Sequence, residues 1–386
     1  MNKIYKGLLG LSGLCFLGAC VSIGFGAGSS VIAPFVVLMF ASLALGVRGT
    51  ESIFKSFSFS IWIFAAVSLA MFYPEWITDV GGFNTSVLIV PLIQIIMFGM
   101  GTQLSVKDFV EVLKRPKGVL VGLFFQFMIM PLVGVSLALS FGFPAEVAAG
   151  VVLIGSCPGG VASNVMAYIA RADLALSVSL TSVATLISPL MTPMLMQLLA
   201  DQFVQIDTVG MMISILNMII IPVVLGLTFN HFLHGKTQWL DRIMPVVSMV
   251  GIAVIITVIT AAGRDSLLSI GVLLVLAAVL HNGLGYFFGY WGGRLVGMDE
   301  QECRTIALEV GMQNGGMASG LAAEMGKIAT VGLAPAVFGP WMNISGSTLA
   351  NWWRRRPLDS EESLKQESVK SVNPKSTEQQ INTDKN

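Results

Sequence analysis

The chain has 386 residues, of which 54% are hydrophobic and only 11% charged. A soluble domain carries about 25% charged residues, so this composition is that of a polytopic membrane protein. Basic and acidic residues balance at 22 each, leaving zero formal charge and no electrostatic footprint for nucleic acid, while four scattered cysteines and three histidines exclude a disulfide framework and a histidine metal centre.

A helix needs about 20 predominantly apolar residues to cross the hydrocarbon core of a bilayer. In chain order such runs lie near 7–26, 29–47, 57–73, 85–104, 118–140, 145–170, 173–200, 209–230, 243–262, 268–293, 302–325 and 329–353, twelve in all. The first, MNKIYKGLLGLSGLCFLGAC, has a basic start and a lipobox-like end at Cys20, the pattern of a cleaved leader. A second span follows almost at once, so the first is read as a retained helix, with cleavage as the alternative. The pair forms an N-terminal hairpin over residues 1–50. GFGAGS at 24–29 has the look of a nucleotide loop, but no strand precedes it and it is discounted.

Polar residues enter the later spans at few places. Gln126 stands in FFQFMIMP, and GGVASN at 159–164 follows Pro158 and brings in Ser163 and Asn164. In LALSVSLTSVATLISP, Ser177, Thr181 and Thr185 share one helical face at i, i+4 and i+8. His231 and His234 sit beside Lys236 in a loop, and His281 is expected as a satisfied polar group between helices. Glu309 is the only acidic residue well inside a predicted span; Glu146 and Glu324 fall near span ends. Gln313 and Asn314 come next, then GGMASG at 315–320. Residues 354–386 are polar and read as a disordered cytoplasmic tail.

With the N-terminus inside, sixteen Lys and Arg fall on the cytoplasmic side, among them Lys3, Arg48, Lys55, Lys107, Lys114, Arg115, Arg171, Lys236, Arg294, Arg304 and Arg354; only Arg264 and Lys327 fall outside. That bias fixes the expected orientation, with both termini cytoplasmic. Beyond the hairpin, ten spans divide into 57–200 and 209–353, five each, and each half carries GGxAS in its fourth span. An odd number of spans flips the second half, so the two would be inverted repeats. Gly-Gly lowers helix propensity and tolerates unwound backbone. Unwound backbone survives at membrane depth only where it lines a cavity or is buried in protein. Two matched breaks therefore point to a binding site. The polar groups around them are one carboxylate with amides and hydroxyls, a hard-oxygen set that suits a monovalent cation. Sodium and the proton are the candidates, and the several neutral oxygens favour sodium.

CPGGVASNVMAYIARADLALSVSLTSVATLISPL at 157–190 and EVGMQNGGMASGLA at 309–322 resemble the bile acid:sodium symporter family, as do FGMGTQL at 98–104, HNGLGY at 281–286 and NISGS at 343–347. The likeness covers about residues 55–355 and is nearest to bacterial members. It implies an all-α polytopic fold of two inverted five-helix repeats, with panel and core domains and two crossing broken helices. The hairpin is then an extension on the panel side, and residues 51–353 form the symporter domain. It further implies two sodium ions. The first would be held by Ser163, Asn164, Ser177, Thr181 and Glu309, the second by Gln126, Glu309, Gln313 and the backbone carbonyls of Val310 and Met312. A shared carboxylate offsets the repulsion between two nearby cations. The substrate would meet Asn314, Asn343 and backbone amides near Val161 and Gly316. Val161 stands where relatives often carry a hydroxyl residue and Met342 where some carry histidine, which leaves the substrate's identity open.

The implied activity is sodium-coupled import of an organic anion, bile-acid-like or a small carboxylate such as pantoate, across a bacterial inner membrane by alternating access. Proton-coupled transport or oxyanion export on a similar fold is the alternative; Cys157, the thiol beside the first break, is read as packing. No HExxH, GxSxG or acid/base dyad suggests an enzyme. Oligomeric state is left open by the sequence.

Overall fold

The computed structural model describes residues 3–50, 57–105, 116–233 and 238–356. Lys55, Lys107, Lys114, Arg115, His234, Lys236 and the tail beyond Arg356 lie outside the described residues. All twelve expected spans are helical. Among the described residues, eight helical stretches are long and apolar enough to cross a membrane. The other four expected spans are one shorter helix, two broken pairs and a last helix rich in polar residues.

The chain opens with α1 (Lys3–Gly24) and α2 (Ser29–Val47), which pack as a hairpin. Ser12 Oγ donates to the Met39 carbonyl at 3.0 Å across it. The outer face of α1 exposes Leu14, Phe16, Leu17, Val21 and Ile23, as suits contact with lipid tails. α2 lies on α3 (Ser58–Phe72), where Ser58 Oγ donates to the Ala44 carbonyl at 2.9 Å. A short α4 (Pro74–Thr78) leads to a two-residue hairpin, β1 (Asp79–Val80) and β2 (Phe83–Asn84), paired Val80 to Phe83 through Gly81 and Gly82 at positive φ. This exposed turn is the sheet found among the described residues of an otherwise helical fold.

Two groups of helices follow. In the first, α5 (Ile89–Gln103) packs against α12 (Ile221–Leu233), and α13 (Gln238–Ala262) packs against α3 and α5. The α5–α12 contact is backbone to backbone: a Cβ on Gly101 would strike the Val223 carbonyl, and one on Gly226 the Phe98 carbonyl. The second group holds α6 (Pro116–Phe124), α7 (Met130–Phe141), α8 (Ala145–Ser156), α9 (Ala162–Ile169), α10 (Leu174–Ala200), α14 (Arg264–Leu295), α15 (Glu300–Gly311), α16 (Gly315–Glu324) and α17 (Leu333–Arg354). α11 (Thr208–Ile215) connects the groups, and one apolar cluster runs through both, from Ile93, Met97 and Met218 to Leu153, Met317 and Leu321.

Two wide π turns, Phe125–Ile129 between α6 and α7 and Leu216–Ile220 between α11 and α12, interrupt spans that the sequence presents as continuous. Each precedes a proline, Pro131 and Pro222. Proline lacks an N–H and clashes with the carbonyl four residues back, here Phe127 and Met218, so the helix widens to escape.

Charges segregate to the ends. At one end a capping box of Asp299 and Glu302 starts α15. There the buried Arg304 donates to Glu300 Oε1 at 2.8 Å and to the carbonyls of Ala170 and Trp353, while Glu300 Oε2 accepts from Tyr290 and Arg294. At the other end Lys327 pairs with Glu146, which also accepts from Thr330 Oγ1 at 2.6 Å. Arg264 and Arg294 stand at opposite ends of α14.

Candidate functional site

α8 stops at Ser156 because Cys157, ahead of Pro158, is driven into extended backbone. The chain stays unwound until α9 begins at Ala162. α15 stops at Gly311, and the chain unwinds until Asn314 caps α16, its Oδ1 accepting from the Met317 N–H at 3.0 Å. The two unwound segments run antiparallel and bond each other. The Gly160 N–H donates to the Met312 carbonyl and the Asn314 N–H to the Pro158 carbonyl, both at 2.8 Å, about the paired Gly159 and Gln313.

Side chains and nearby backbone N–H groups meet further carbonyls, with the Asn164 N–H on Val161 and the Gly315 N–H on Gln313. Thr192 Oγ1 donates to the Ser156 carbonyl at 2.8 Å, Gln126 Nε2 to the Cys157 carbonyl at 2.6 Å and Ser163 Oγ to the Gly160 carbonyl at 2.7 Å. Backbone polar groups left unpaired in an apolar surround cost several kcal/mol each, about 2–7 depending on reference state, so this pairing is what allows both breaks at depth.

The two Gly-Gly phrases do different work. A Cβ on Gly159 would lie 2.9 Å from Glu309 Oε2, and one on Gly160 2.9 Å from the Gln313 carbonyl oxygen. Glycine there permits the crossing. Gly315 and Gly316 have room for a Cβ, at 3.6 and 3.4 Å from their nearest neighbours. Both line an open cavity.

Glu309 closes on the crossing from the last turn of α15 and is 1% exposed. Its Oε1 accepts from Ser163 Oγ at 2.6 Å and Ser177 Oγ at 2.5 Å, and its Oε2 from Thr181 Oγ1 at 2.7 Å. Asn164 Oδ1 faces Ser177 Oγ at 2.7 Å and Thr181 Oγ1 at 3.3 Å. Asp173 caps α10 through the Leu176 N–H at 3.1 Å, and one turn on from Ser177 the same face presents Thr181. Three hydroxyl protons thus serve five nearby acceptor oxygens: both Glu309 oxygens, Asn164 Oδ1 and the carbonyls of Gly160 and Ser177. An oxygen cluster with more acceptors than protons, and one formal negative charge, is suited to a hard cation.

The second expected set forms a separate chain. Gln126, aimed inward from the π turn, donates to Gln313 Oε1 at 2.5 Å, and Gln313 Nε2 donates to the Val310 carbonyl at 2.6 Å. The Met312 carbonyl is engaged by Gly160. Among the described residues the hydrogen bonds of Glu309 go to the first set alone. Thr185, on the same face of α10, is buried without a hydrogen-bond partner for its hydroxyl, so the shared face carries only two of its three hydroxyls into the cluster. His281 is fully buried against Phe338, ring centroids 5.4 Å apart. It is fitted between α7 and Gly155, with the Met130 backbone as its polar neighbour; a Cβ on Gly155 would come within 2.8 Å of the Met130 carbonyl oxygen and 2.9 Å of Nε2.

On the other side of the crossing lies a cavity of about 330 Å³. All four expected contact positions, Val161, Asn314, Gly316 and Asn343, line it. The facing wall is apolar and mobile in shape, with Met97, Met100, Met249, Ile252 and Ile256. No charged side chain lines it among the described residues. On α5, α9 and α13 the lining runs from the crossing toward the end that carries Gln103, Ala170 and Gln238. The sequence reading missed Ser319, Gln103 and Ser248 on this cavity; Ser319 was legible as the counterpart of Ser163 in the repeated phrase.

Comparison with known proteins bears on what this arrangement serves. The family model described as "Sodium Bile acid symporter family" matches residues 90–270. A protein named "Uncharacterized sodium-dependent transporter YocS", from Bacillus subtilis, is 38% identical over 304 residues, 78% of this chain and 92% of that protein. A probable chloroplastic sodium/metabolite cotransporter of rice, Oryza sativa, is 32% identical over 310 residues, 78% of this chain and 73% of its own. The ileal sodium/bile acid cotransporter of the rabbit, Oryctolagus cuniculus, is 32% identical over 232 residues, 59% of this chain and 67% of its own. Likeness of this extent, joined to an all-helical membrane fold, makes the chain a member of the sodium bile acid symporter family, a family of transporters and not of enzymes.

Proposed function

We propose that the protein is a sodium-coupled symporter that imports an organic monoanion with an apolar body. The observation that carries this reading is the back-to-back arrangement at the crossing. An acceptor-rich oxygen cluster lies on one side, and on the other a cavity without charged groups opens onto the starts of α9 and α16. Half-helix N-termini present positive dipole ends to an anion. With no basic residue on the wall among the described residues, those amides, Asn314 and Asn343 suit one negative charge rather than two, and the methionine and isoleucine wall accepts the apolar remainder. The sodium-dependent names of the relatives support the choice of cation.

In this reading one ion occupies the Glu309 cluster with Ser163, Asn164, Ser177 and Thr181. A second occupies the chain of Gln126, Gln313 and the Val310 and Met312 carbonyls after its amides turn, with Glu309 as the carboxylate shared between the two ions. Two sodium ions with one monoanion carry one net positive charge inward, a gain of roughly 2.3 kcal/mol per 100 mV. The cavity faces the end rich in basic residues, so this arrangement is the inward-facing one, and access alternates as the α6–α10 and α14–α17 group rocks against the group of α3, α5, α12 and α13.

Thermal stability of the purified protein in NaCl, KCl and choline chloride tests the reading. A ligand that binds only the folded state stabilises it by mass action, about 2.7 kcal/mol at one hundred times its Kd. The expected result is a rise in melting temperature specific to sodium, lost in Glu309→Ala; in sodium, addition of pantoate, a keto acid or taurocholate then raises it further for the true substrate. Equal melting in all three salts would sink sodium coupling.

A further inference from the structure

The two GGxAS phrases lie 156 residues apart, and at the same offset a second pair of residues does similar work. Gln126 Nε2 donates to the Cys157 carbonyl, at the end of α8. Asn282, 156 residues beyond Gln126, donates from Nδ2 to the Gly311 carbonyl at 2.7 Å, at the end of α15. In each case an amide from the preceding span covers a carbonyl that helix termination leaves orphaned in an apolar surround. The packing beneath repeats as well. A Cβ on Gly155 would meet the Met130 carbonyl, and one on Gly311 would strike the ring of Tyr286, again at that offset.

Unlike Gln126, Asn282 touches none of the expected cation ligands with its own side chain. It is 1% exposed, and its Oδ1 accepts from Ser345 Oγ at 2.5 Å. Ser345 Oγ lies 3.1 Å from Tyr286 OH. With the Ser345 proton committed to Asn282, Tyr286 is the donor, and the hydroxyls and the amide polarise one another along one line. That line joins three helices. It begins on α14, passes through α17 two residues from the cavity residue Asn343, and ends on the Gly311 carbonyl. The Gly311 carbonyl lies in the peptide joining Gly311 to Met312, and the peptides before and after that one carry the Val310 and Met312 carbonyls. On the cavity side Met342 Sδ receives the Gln313 N–H at 3.2 Å, so α17 grips the same unwound segment a second time.

We propose that Asn282 is a positioning residue for transport. Held by Ser345 and Tyr286, it fixes the Gly311 carbonyl and thereby the direction of the Val310 and Met312 carbonyls at the cation site, and it ties that geometry to the cavity wall on α17. This inference rests on the sodium-symport reading.

The test is a sodium titration of melting temperature, at constant ionic strength, for wild type, Asn282→Ala and Ser345→Ala. Outer-shell partners of metal ligands typically contribute 10- to 100-fold in affinity. On that scale Asn282→Ala is expected to raise the half-saturating sodium concentration about tenfold or more, with the KCl melting temperature reduced but the unfolding transition still cooperative. Ser345→Ala, which leaves the Asn282 donor in place and loosens only its aim, is expected to shift sodium dependence in the same direction by a smaller factor. It also serves where Asn282→Ala does not fold. An unchanged half-saturating concentration in a folded variant, with only the KCl melting temperature lowered, would overturn the inference and leave the symport reading intact. A wild-type protein with no sodium response would remove both.

Discussion

Glu309 and the hydroxyls that meet it set the chemistry at the scale of single residues. Glu309→Gln keeps the shape and removes the charge. It is expected to abolish sodium-specific stabilisation while the melting temperature in KCl stays within a few degrees of wild type, because three hydroxyls remain to bond the amide. The glycines separate two roles. Gly160→Ala sets a methyl 2.9 Å from the Gln313 carbonyl oxygen, and overpacking of this kind costs about 1–3 kcal/mol, which a melting curve in KCl will register. Gly316→Ala meets nothing closer than 3.4 Å; it is expected to leave that curve unchanged and to weaken substrate-dependent stabilisation, because its methyl enters the cavity. Glu309, Gln313 and the hydroxyls of α10 were legible in the sequence because polar groups are costly in an apolar span and stand out. Asn282 was no less polar, but what its amide meets depends on the angle at which α14 crosses α15, and no local pattern encodes that angle. The failure of Thr185 to join the cluster has the same origin: helical spacing gives a face, and the tilt of the helix decides how much of the face reaches the site.

Helices were the most legible level. A run of apolar residues long enough to cross a bilayer has few alternatives there, since backbone groups must be satisfied within the segment. The breaks in α8–α9 and α15–α16 were visible through Gly-Gly and proline. The two π turns were not, because Pro131 and Pro222 read equally well as kinks in ordinary helix. The first of these turns has a task, to rotate Gln126 inward onto Gln313 and Cys157. Pro131→Ala restores the missing N–H and removes the clash with Phe127. The expected outcome is unchanged helicity by circular dichroism and a half-saturating sodium concentration raised about tenfold, the scale of a lost outer-shell contact. Equal sodium dependence in this variant would show that the proline does not aim Gln126.

For the whole molecule, the question is what keeps the far side of the crossing closed. Gly320, in the second phrase, sits where α16 meets α5 and the π turn before α12. A Cβ there would strike Met218 Sδ and come within 2.6 Å of Ile93 Cδ1. Gly320→Leu is expected to wedge the two groups apart on that side and shift the population toward the opposite access. Met249→Cys, on the cavity wall and 37% exposed, in a chain with Cys20→Ala to remove the exposed native thiol, reports this: its labelling by a charged thiol reagent should fall in Gly320→Leu and remain fast without it. Equal labelling in both chains would place the seal elsewhere. The repeated phrase suggested two repeats, and the family resemblance suggested a panel and a core with the N-terminal hairpin on the panel side; that α3 is the helix the hairpin meets could not be read from the sequence, since apolar residues surround both of its helices and mark no single contact face.

The mutual bonding of the two breaks also bears on biosynthesis. Pro158 and Gly160 find their backbone partners in Asn314 and Met312. Those residues emerge from the ribosome about 150 residues later, which at 5–20 residues per second is a delay on the order of ten seconds. During that interval the Pro158 carbonyl and the Gly160 N–H are without these partners, although Gln126, Ser163 and Thr192 already serve neighbouring carbonyls. The newly inserted first half is therefore expected to be a client of membrane chaperones and quality-control proteases, and a chain ended after α10 should be degraded rapidly, while co-expression of the second half as a separate polypeptide should prolong its lifetime.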